Sequence, residues 1–504
     1  MSSFISPSFE SMKLIKRNQF SLFLLFLVFV SGCKTASDSD FPALEVAQLE
    51  QAYQENQEAA ITHRRFKHAD LQPLIQKHSE TFDVAELGKS VEGKSISSLD
   101  WGNGPTKVML WSQMHGNEST ATMALFDLFN FLGKTGDDFE ELRTLLKENL
   151  HLKFIPMLNP DGSDKFQRRN ALDIDLNRDA ISQISPEAII LKGARDSFEP
   201  EFGFNLHDQQ IYYNVVNTPQ QVTISVLAPG YNYERDVNDV RAKAMQIIVG
   251  MDKVLQQEIP GGVGKYDDSF EPRAFGDNIQ KWGTSTILIE SGGYVGDPEK
   301  QYIRKLNFMI ILNALHQIAT KGYEQYTTEQ YFAIPDNDLQ MVDLKINEMN
   351  VEIEGKTYPV DLAIRRNENN AGDTYSVSGS VVDLGDMQVY FGFEEKDASG
   401  LTYQEGKVFE TTFESVSDIS SEKAYELLRE GYLAVKVKNA EAGDLHNLPI
   451  LLLKSSDTFS AGWKTGSRPN FYLSDGEELK VAIVNGYWID LANPEEQEFK
   501  QAVY

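Results

Sequence analysis

Four side chains stand out by type and by position: His115, Glu118, His207 and Glu290. Each sits at or just past the end of a predicted strand: 108–111 before His115 and Glu118, one ending at His207, and 286–289 before Glu290. Ligands of open α/β sheets gather outside the carboxyl ends of strands, so the placement predicts that all four converge on one edge. Two histidines and one glutamate make a sufficient ligand set for a catalytic zinc, which keeps its fourth position for water. A lone His-x-x-Glu pair is weak evidence in a chain with eight histidines, where a surface pair is the default. What gives it meaning is the company it keeps, including a glutamate closing an apolar strand, where burial is costly without a function or a partner.

The elements around these residues alternate in kind. Apolar segments separated by Gly88, Gly93, Gly102 and Gly104 read as strands joined by turns over 81–112, and helical spacing follows at Met123, Leu125, Phe126, Leu128, Phe129, Phe131 and Leu132. Further helices are expected near 42–58, 139–148, 186–195, 236–257 and 299–320, with strands at 150–158 and 286–289 and one ending at His207. Such alternation predicts an α/β domain with a mixed, largely parallel twisted sheet and helices on both faces. Beyond about residue 338 the apolar residues recur every second position, as in Val342, Leu344 and Ile346 or Val360, Leu362 and Ile364, which predicts a smaller β-rich accessory domain over 338–504 with one helix near 421–429. The expected divisions are a signal segment at 1–32, a tether at 33–42, a catalytic domain at 43–325 and the accessory domain.

The chain has 504 residues, is 41% hydrophobic and carries a formal net charge of -28. That composition suits a folded globular protein, and with no dense basic stripe it argues against nucleic acid as a partner. Near the amino end, Lys13, Lys16 and Arg17 precede an apolar run from Phe20 to Val30 that is shorter than the roughly 20 residues a membrane-spanning helix needs. This is secretory-signal patterning. Val30-Ser31-Gly32-Cys33 resembles the lipobox of bacterial lipoproteins, which implies cleavage before Cys33 and lipidation there, an exported protein in the cell envelope, and attachment to a membrane through that lipid. Cys33 is the single cysteine, so no internal disulfide is possible.

His115-Gly116-Asn117-Glu118, the downstream Phe204-Asn205-Leu206-His207, the stretch from Arg168-Arg169-Asn170 through Asp175-Leu176-Asn177-Arg178, and Thr286-Ile287-Leu288-Ile289-Glu290 occur in the order used by the funnelin zinc metallocarboxypeptidases, which this chain resembles over about 60–325. The resemblance implies one zinc per chain held by His115, Glu118 and His207, with Asp175 orienting the first histidine. It implies Glu290 as the general base that activates the metal-bound water. It further implies Arg169 as the group that polarises the scissile carbonyl, and Asn177 and Arg178 as the grip on the free C-terminal carboxylate of a peptide substrate. The family's covering tyrosine has two candidates here, Tyr266 and Phe270. Competing expectations are a zinc amidase acting on peptidoglycan stem peptides or acyl-amino acids, and a non-catalytic peptide-binding lipoprotein. No Gly-x-Ser-x-Gly elbow is present for a serine hydrolase.

Overall fold

A computed structural model describes residues 43–457 and 461–504. The expected signal segment, Cys33 and the tether lie outside the described residues. Among the described residues, no helix is long and apolar enough to cross a membrane.

The chain opens with α1 (Val46–Asn56), whose Leu49, Ala52, Tyr53 and Asn56 recur at helical spacing and are all buried, and α2 (His68–Lys77). Strands β1 (Asp83–Lys89), β2 (Ser95–Trp101) and β3 (Thr106–Trp111) follow. Next come α3 (Thr120–Gly133), α4 (Glu140–Asn149), β4 (Leu150–Ile155) and the short α5 (Pro160–Asp164). Then the chain forms α6 (Pro186–Phe198), β5 (Phe202–Asp208), β6 (Asn214–Val215), β7 (Ile224–Leu227) and α7 (Asp239–Glu258). The layer ends with β8 (Val263–Lys265), α8 (Phe275–Lys281), β9 (Ser285–Ser291), α9 (Gln301–Thr320) and α10 (Thr328–Phe332). Side-chain caps set several starts: Ser185 accepts from the Ala188 amide and Asn238 from the Arg241 amide, satisfying donors that a helix leaves free.

One eight-stranded sheet runs in the order β1-β2-β4-β3-β5-β9-β7-β8. Its centre is parallel, because β3 pairs in parallel with both β4 and β5, and β5 in parallel with β9. The two ends bring in antiparallel neighbours, β2 against β4 and β7 against β9. Alternation along β3 shows how the two faces are filled. Val108 and Leu110 pack with α3, α7 and α9, while Met109 and Trp111 point the other way, against α6 and α8. The expected mixed sheet with helices on both faces is what the chain forms. A buried ion pair crosses the first face, Arg304 of α9 donating to Asp127 of α3, with further donations to the Glu58 and Ile61 carbonyls.

From residue 341 the structure turns to strands. The long β11 (Met341–Ile353), β12 (Lys356–Ala371) and β13 (Thr374–Gly385) follow the short β10 (Asn337–Asp338) and are antiparallel neighbours within a second eight-stranded sheet. A three-stranded parallel sheet of Lys407–Phe413, Tyr432–Val437 and Leu451–Lys454 lies beyond, and α11 (Ser421–Arg429) buries Ala424, Leu427 and Leu428. This β-rich region touches the α/β layers directly: β10 pairs with β6, the Met341 amide donates to the Tyr212 carbonyl at 3.0 Å, and the Tyr212 hydroxyl donates to Asp343 at 2.6 Å.

Candidate metal centre and its cleft

β3, β5 and β9 are adjacent and parallel, so their carboxyl ends open on the same edge. His115 and Glu118 lie in the loop between β3 and α3, His207 closes β5, and Glu290 stands opposite it in register on β9. The loop after β3 is tight: a Cβ on Gly116 would lie 2.0 Å from the Gly162 carbonyl carbon and 2.2 Å from the Ser163 nitrogen, so only glycine permits the approach. Gln113 holds the loop from inside, its amide donating to the Gly116 carbonyl at 3.0 Å and to the Ser163 hydroxyl at 3.1 Å.

His115, Glu118 and His207 are buried and bring one potential ligand atom each to within 4.8 Å of the others. The Nδ1 atoms of the two histidines face each other at 3.2 Å, and each lies 2.8 Å from a Glu118 oxygen. Two imidazole nitrogens bound to one tetrahedral zinc at about 2.0–2.1 Å are separated by about 3.4 Å, so the cluster fits that ion. On its outer side, His115 Nε2 meets Asp175 Oδ1 at 3.0 Å, which fixes the proton there and leaves Nδ1 facing inward. Burial alone would raise the Glu118 carboxyl, but His115 and His207 beside it hold it well below the usual range. Burial would likewise raise Asp175, which the His115 hydrogen bond and Arg168 hold low. Glu290 goes the other way. Burial, then the negative charges of Glu118 and Asp208, push it well above an ordinary carboxylate.

Of the two neighbouring arginines, Arg168 enters the cluster and Arg169 does not. Arg168 donates through Nη1 to His115 Nδ1 at 3.1 Å and to Glu118 Oε1 at 3.0 Å, and through Nε to Asp175 Oδ2 at 3.1 Å. Arg169 turns outward, half exposed, with Nη1 donating to the Asp173 carbonyl at 2.8 Å. Arg169, expected to polarise the scissile carbonyl, therefore stands outside the cluster, and Arg168 takes the place beside His115 and Glu118.

One cavity of about 1310 Å³ holds the cluster together with Glu290, Arg168, Asn177 and Arg178. Asn177 Oδ1 accepts from the Phe275 amide at 2.8 Å, tying it to the start of α8. Arg178 Nη1 donates to the Asn177 carbonyl at 2.7 Å, and its Nε lies 3.3 Å from Glu271. Residues 68–202 match the family described as zinc carboxypeptidase, a span that includes His115, Glu118, Arg168 and Arg178. Over that span the chain is similar to the zinc carboxypeptidases.

Human carboxypeptidase D is 27% identical over 212 residues, covering 37% of this chain and 15% of that protein. Carboxypeptidase SOL1 of Arabidopsis thaliana is 28% identical over 124 residues, covering 23% of this chain and 25% of that protein. The chain spans no more than a third of the length of the curated relatives it matches. A solved metallo-carboxypeptidase of Burkholderia cenocepacia is similar with a TM-score of 0.41 and 19% identity, covering 51% of this chain and 70% of that one.

Tyr266 and Phe270, the two candidates for the covering tyrosine, both line the cavity, and Lys300, Asp277 and Glu271 join them from outside the sequence-derived set. Tyr266, rather than Phe270, feels the charge of Glu290, which together with burial raises its hydroxyl, and it hydrogen-bonds Tyr213 at 3.3 Å. Phe270 instead stacks edge-on with Tyr233 at 5.2 Å. Lys300 Nζ donates to Asp208 at 3.0 Å, and Asp277 of α8 and Glu271 flank Arg178. These come from segments whose local texture is that of ordinary loops and helices, and only the folded chain brings them to the cleft.

Proposed function

We propose that this protein is a member of the zinc carboxypeptidase family and a zinc-dependent exopeptidase that removes the C-terminal residue of peptides. The observation that carries the reading is a buried carboxylate, Glu290, one strand away from a His-Glu-His cluster, with Arg168 and Arg178 in the same cavity. Zinc held by His115, Glu118 and His207, one per chain, would supply a Lewis acid and a water whose pKa falls to about 7. Glu290, raised by burial and by its acidic neighbours, suits the acceptance of a proton from the attacking water and its delivery to the leaving nitrogen. The Arg168 guanidinium offers donors to the oxygen that becomes negative as the carbonyl is attacked, a contact worth about 3 kcal/mol at such sites. Arg178, with Asn177, presents a planar fork to the substrate's terminal carboxylate.

The carboxylate grip gives the direct test. Amidating the C-terminus of a good peptide substrate should abolish cleavage, whereas acetylating its N-terminus should leave the rate within about twofold. Amidated peptides cut at the rate of free ones would replace the carboxypeptidase reading with an amidase or an endopeptidase. We also propose that the protein works in the cell envelope, anchored by lipid at Cys33. The support is the sequence pattern before that residue, and mass spectrometry finding an unmodified Cys33 in the mature protein would remove it.

A further inference from the structure

The cavity of the metal cluster has a wall that does not come from the α/β layers. Arg365, Arg366, Asn367, Glu368 and Asn370 of β12 and Val382 of β13 line it. The far end of this hairpin grips two segments next to the cluster. Glu368 pairs with Arg64 through one oxygen and accepts from Arg65 Nη2 at 2.9 Å through the other. Asn370 accepts from Arg65 Nη1 at 2.7 Å and donates to the Lys165 and Phe166 carbonyls at 3.1 and 2.8 Å. Arg65, itself buried, is sandwiched between the Phe166 ring at 3.8 Å and the Tyr375 ring of β13 at 4.8 Å.

These contacts converge on the turn that closes α5, where the Phe166 amide donates to the Ser163 carbonyl at 3.0 Å and the Gln167 amide to the Gly162 carbonyl at 2.9 Å. Phe166 has φ of 47°, a left-handed conformation that an aromatic L-residue adopts only against a steric penalty. Two residues later the same segment delivers Arg168 to His115 and Glu118. On the other side, the Ser119 hydroxyl, next to Glu118, donates to the Arg64 carbonyl at 2.6 Å, so the arginine pair is clamped between the start of α3 and the hairpin.

We propose that the β12–β13 hairpin is part of the active site: Glu368 and Asn370 are positioning residues that hold the Phe166 turn, and through it Arg168, in the orientation catalysis requires. The catalytic part of this inference rests on the carboxypeptidase reading above. It predicts that residues 341–385 act on the rate of the chemical step without touching the metal.

The test uses the full zinc-loaded chain with Glu368→Gln and Asn370→Ala, each made alone and together with Arg168→Ala. Deuterium exchange over residues 163–170 needs no turnover, and it should be faster in both single variants than in the wild type. On a peptide with a free C-terminus, kcat should fall about tenfold with KM within about twofold, the pattern of an interaction lost in the transition state. In the Arg168→Ala background the same changes should lower kcat by no more than about twofold, because the group they position is gone. An undiminished tenfold loss in that background would overturn the positioning role. Unchanged exchange over 163–170 in both variants would overturn the hold on the turn, whatever the activity. A zinc-loaded wild type that cleaves no peptide would defeat the carboxypeptidase reading and the catalytic half of this inference, and the exchange result would show separately whether the hairpin governs the segment.

Discussion

Asp277 offers a measurement that reports on the cleft from both stability and binding. It sits on α8 beside Arg178, largely buried, with one oxygen accepting from the Glu271 amide at 2.9 Å. Burial raises its carboxyl to about 7; the amide hydrogen bond and Arg178 act in the opposite direction, and Glu271 adds to the rise. An unfolded aspartate loses its proton near 3.8, so between about pH 4 and 7 the folded chain keeps a proton that the unfolded chain has released. Stability from this group is therefore fully present at low pH, declines as pH rises through that window, and levels off above about 7. The full shift of about three pH units corresponds to about 4 kcal/mol, an upper figure because the side chain still meets some water. From pH 5 to pH 8 the share is about 3 kcal/mol, or about 3 °C of melting temperature in a folded unit of this size. Asp277→Asn removes the titration at nearly constant shape. Calorimetric melting of both proteins at pH 5, 6, 7 and 8 should show the variant gaining about 3 °C on the wild type across the series. A parallel arm follows KM: a terminal carboxylate at Arg178 meets a neutral Asp277 below pH 7 and a charged one above it, so KM should climb above pH 7 only in the wild type. Melting curves that shift in parallel across the whole pH range would refute the assignment of a raised Asp277 carboxyl.

Glu290→Gln should retain zinc at the wild-type stoichiometry by elemental analysis while losing about three orders of magnitude in kcat, whereas His207→Ala should lose the metal itself. Arg168→Ala should lower kcat about 100- to 1000-fold on peptide substrates, and Arg169→Ala, whose side chain faces solvent, should stay within about threefold; the reverse ranking would return the role to Arg169. Gly116→Ala places a methyl 2.0 Å from the Gly162 backbone, so it should weaken zinc binding and lower the melting temperature together, both read by calorimetry with and without added metal.

The sheet was legible because its central strands are short apolar runs bounded by glycine or by polar turn residues, and because α3 and α7 carry long helical-spacing patterns. The same runs marked the metal cluster, since His115 lies four residues past the end of β3 and His207 and Glu290 lie near the ends of β5 and β9. Arg168 was not legible. The resemblance pointed to Arg169, which directly precedes an asparagine, and only the folded chain shows which of the two adjacent guanidiniums meets His115 and Glu118. The hairpin's place in the cleft was equally hidden, because Arg65 and Glu368 meet across 303 residues of chain and neither strand of the hairpin differs in pattern from an ordinary two-sided sheet. The helix α2 was missed for a local reason: Pro73 inside it breaks the usual expectation of helical texture.

The strand order carries a consequence for how the molecule is born. β7 and β8 are synthesised before β9, yet in the sheet they lie beyond it, in the sequence β5-β9-β7-β8. Until residues 285–291 take the slot between them, β5 has an open edge and β7 has no place to dock. Such non-local, parallel closure is intrinsically slow. The last central strand to arrive is also the one that bears Glu290, which faces His207 in register. The carboxylate proposed as general base thus joins the histidines and Glu118 only when the sheet closes.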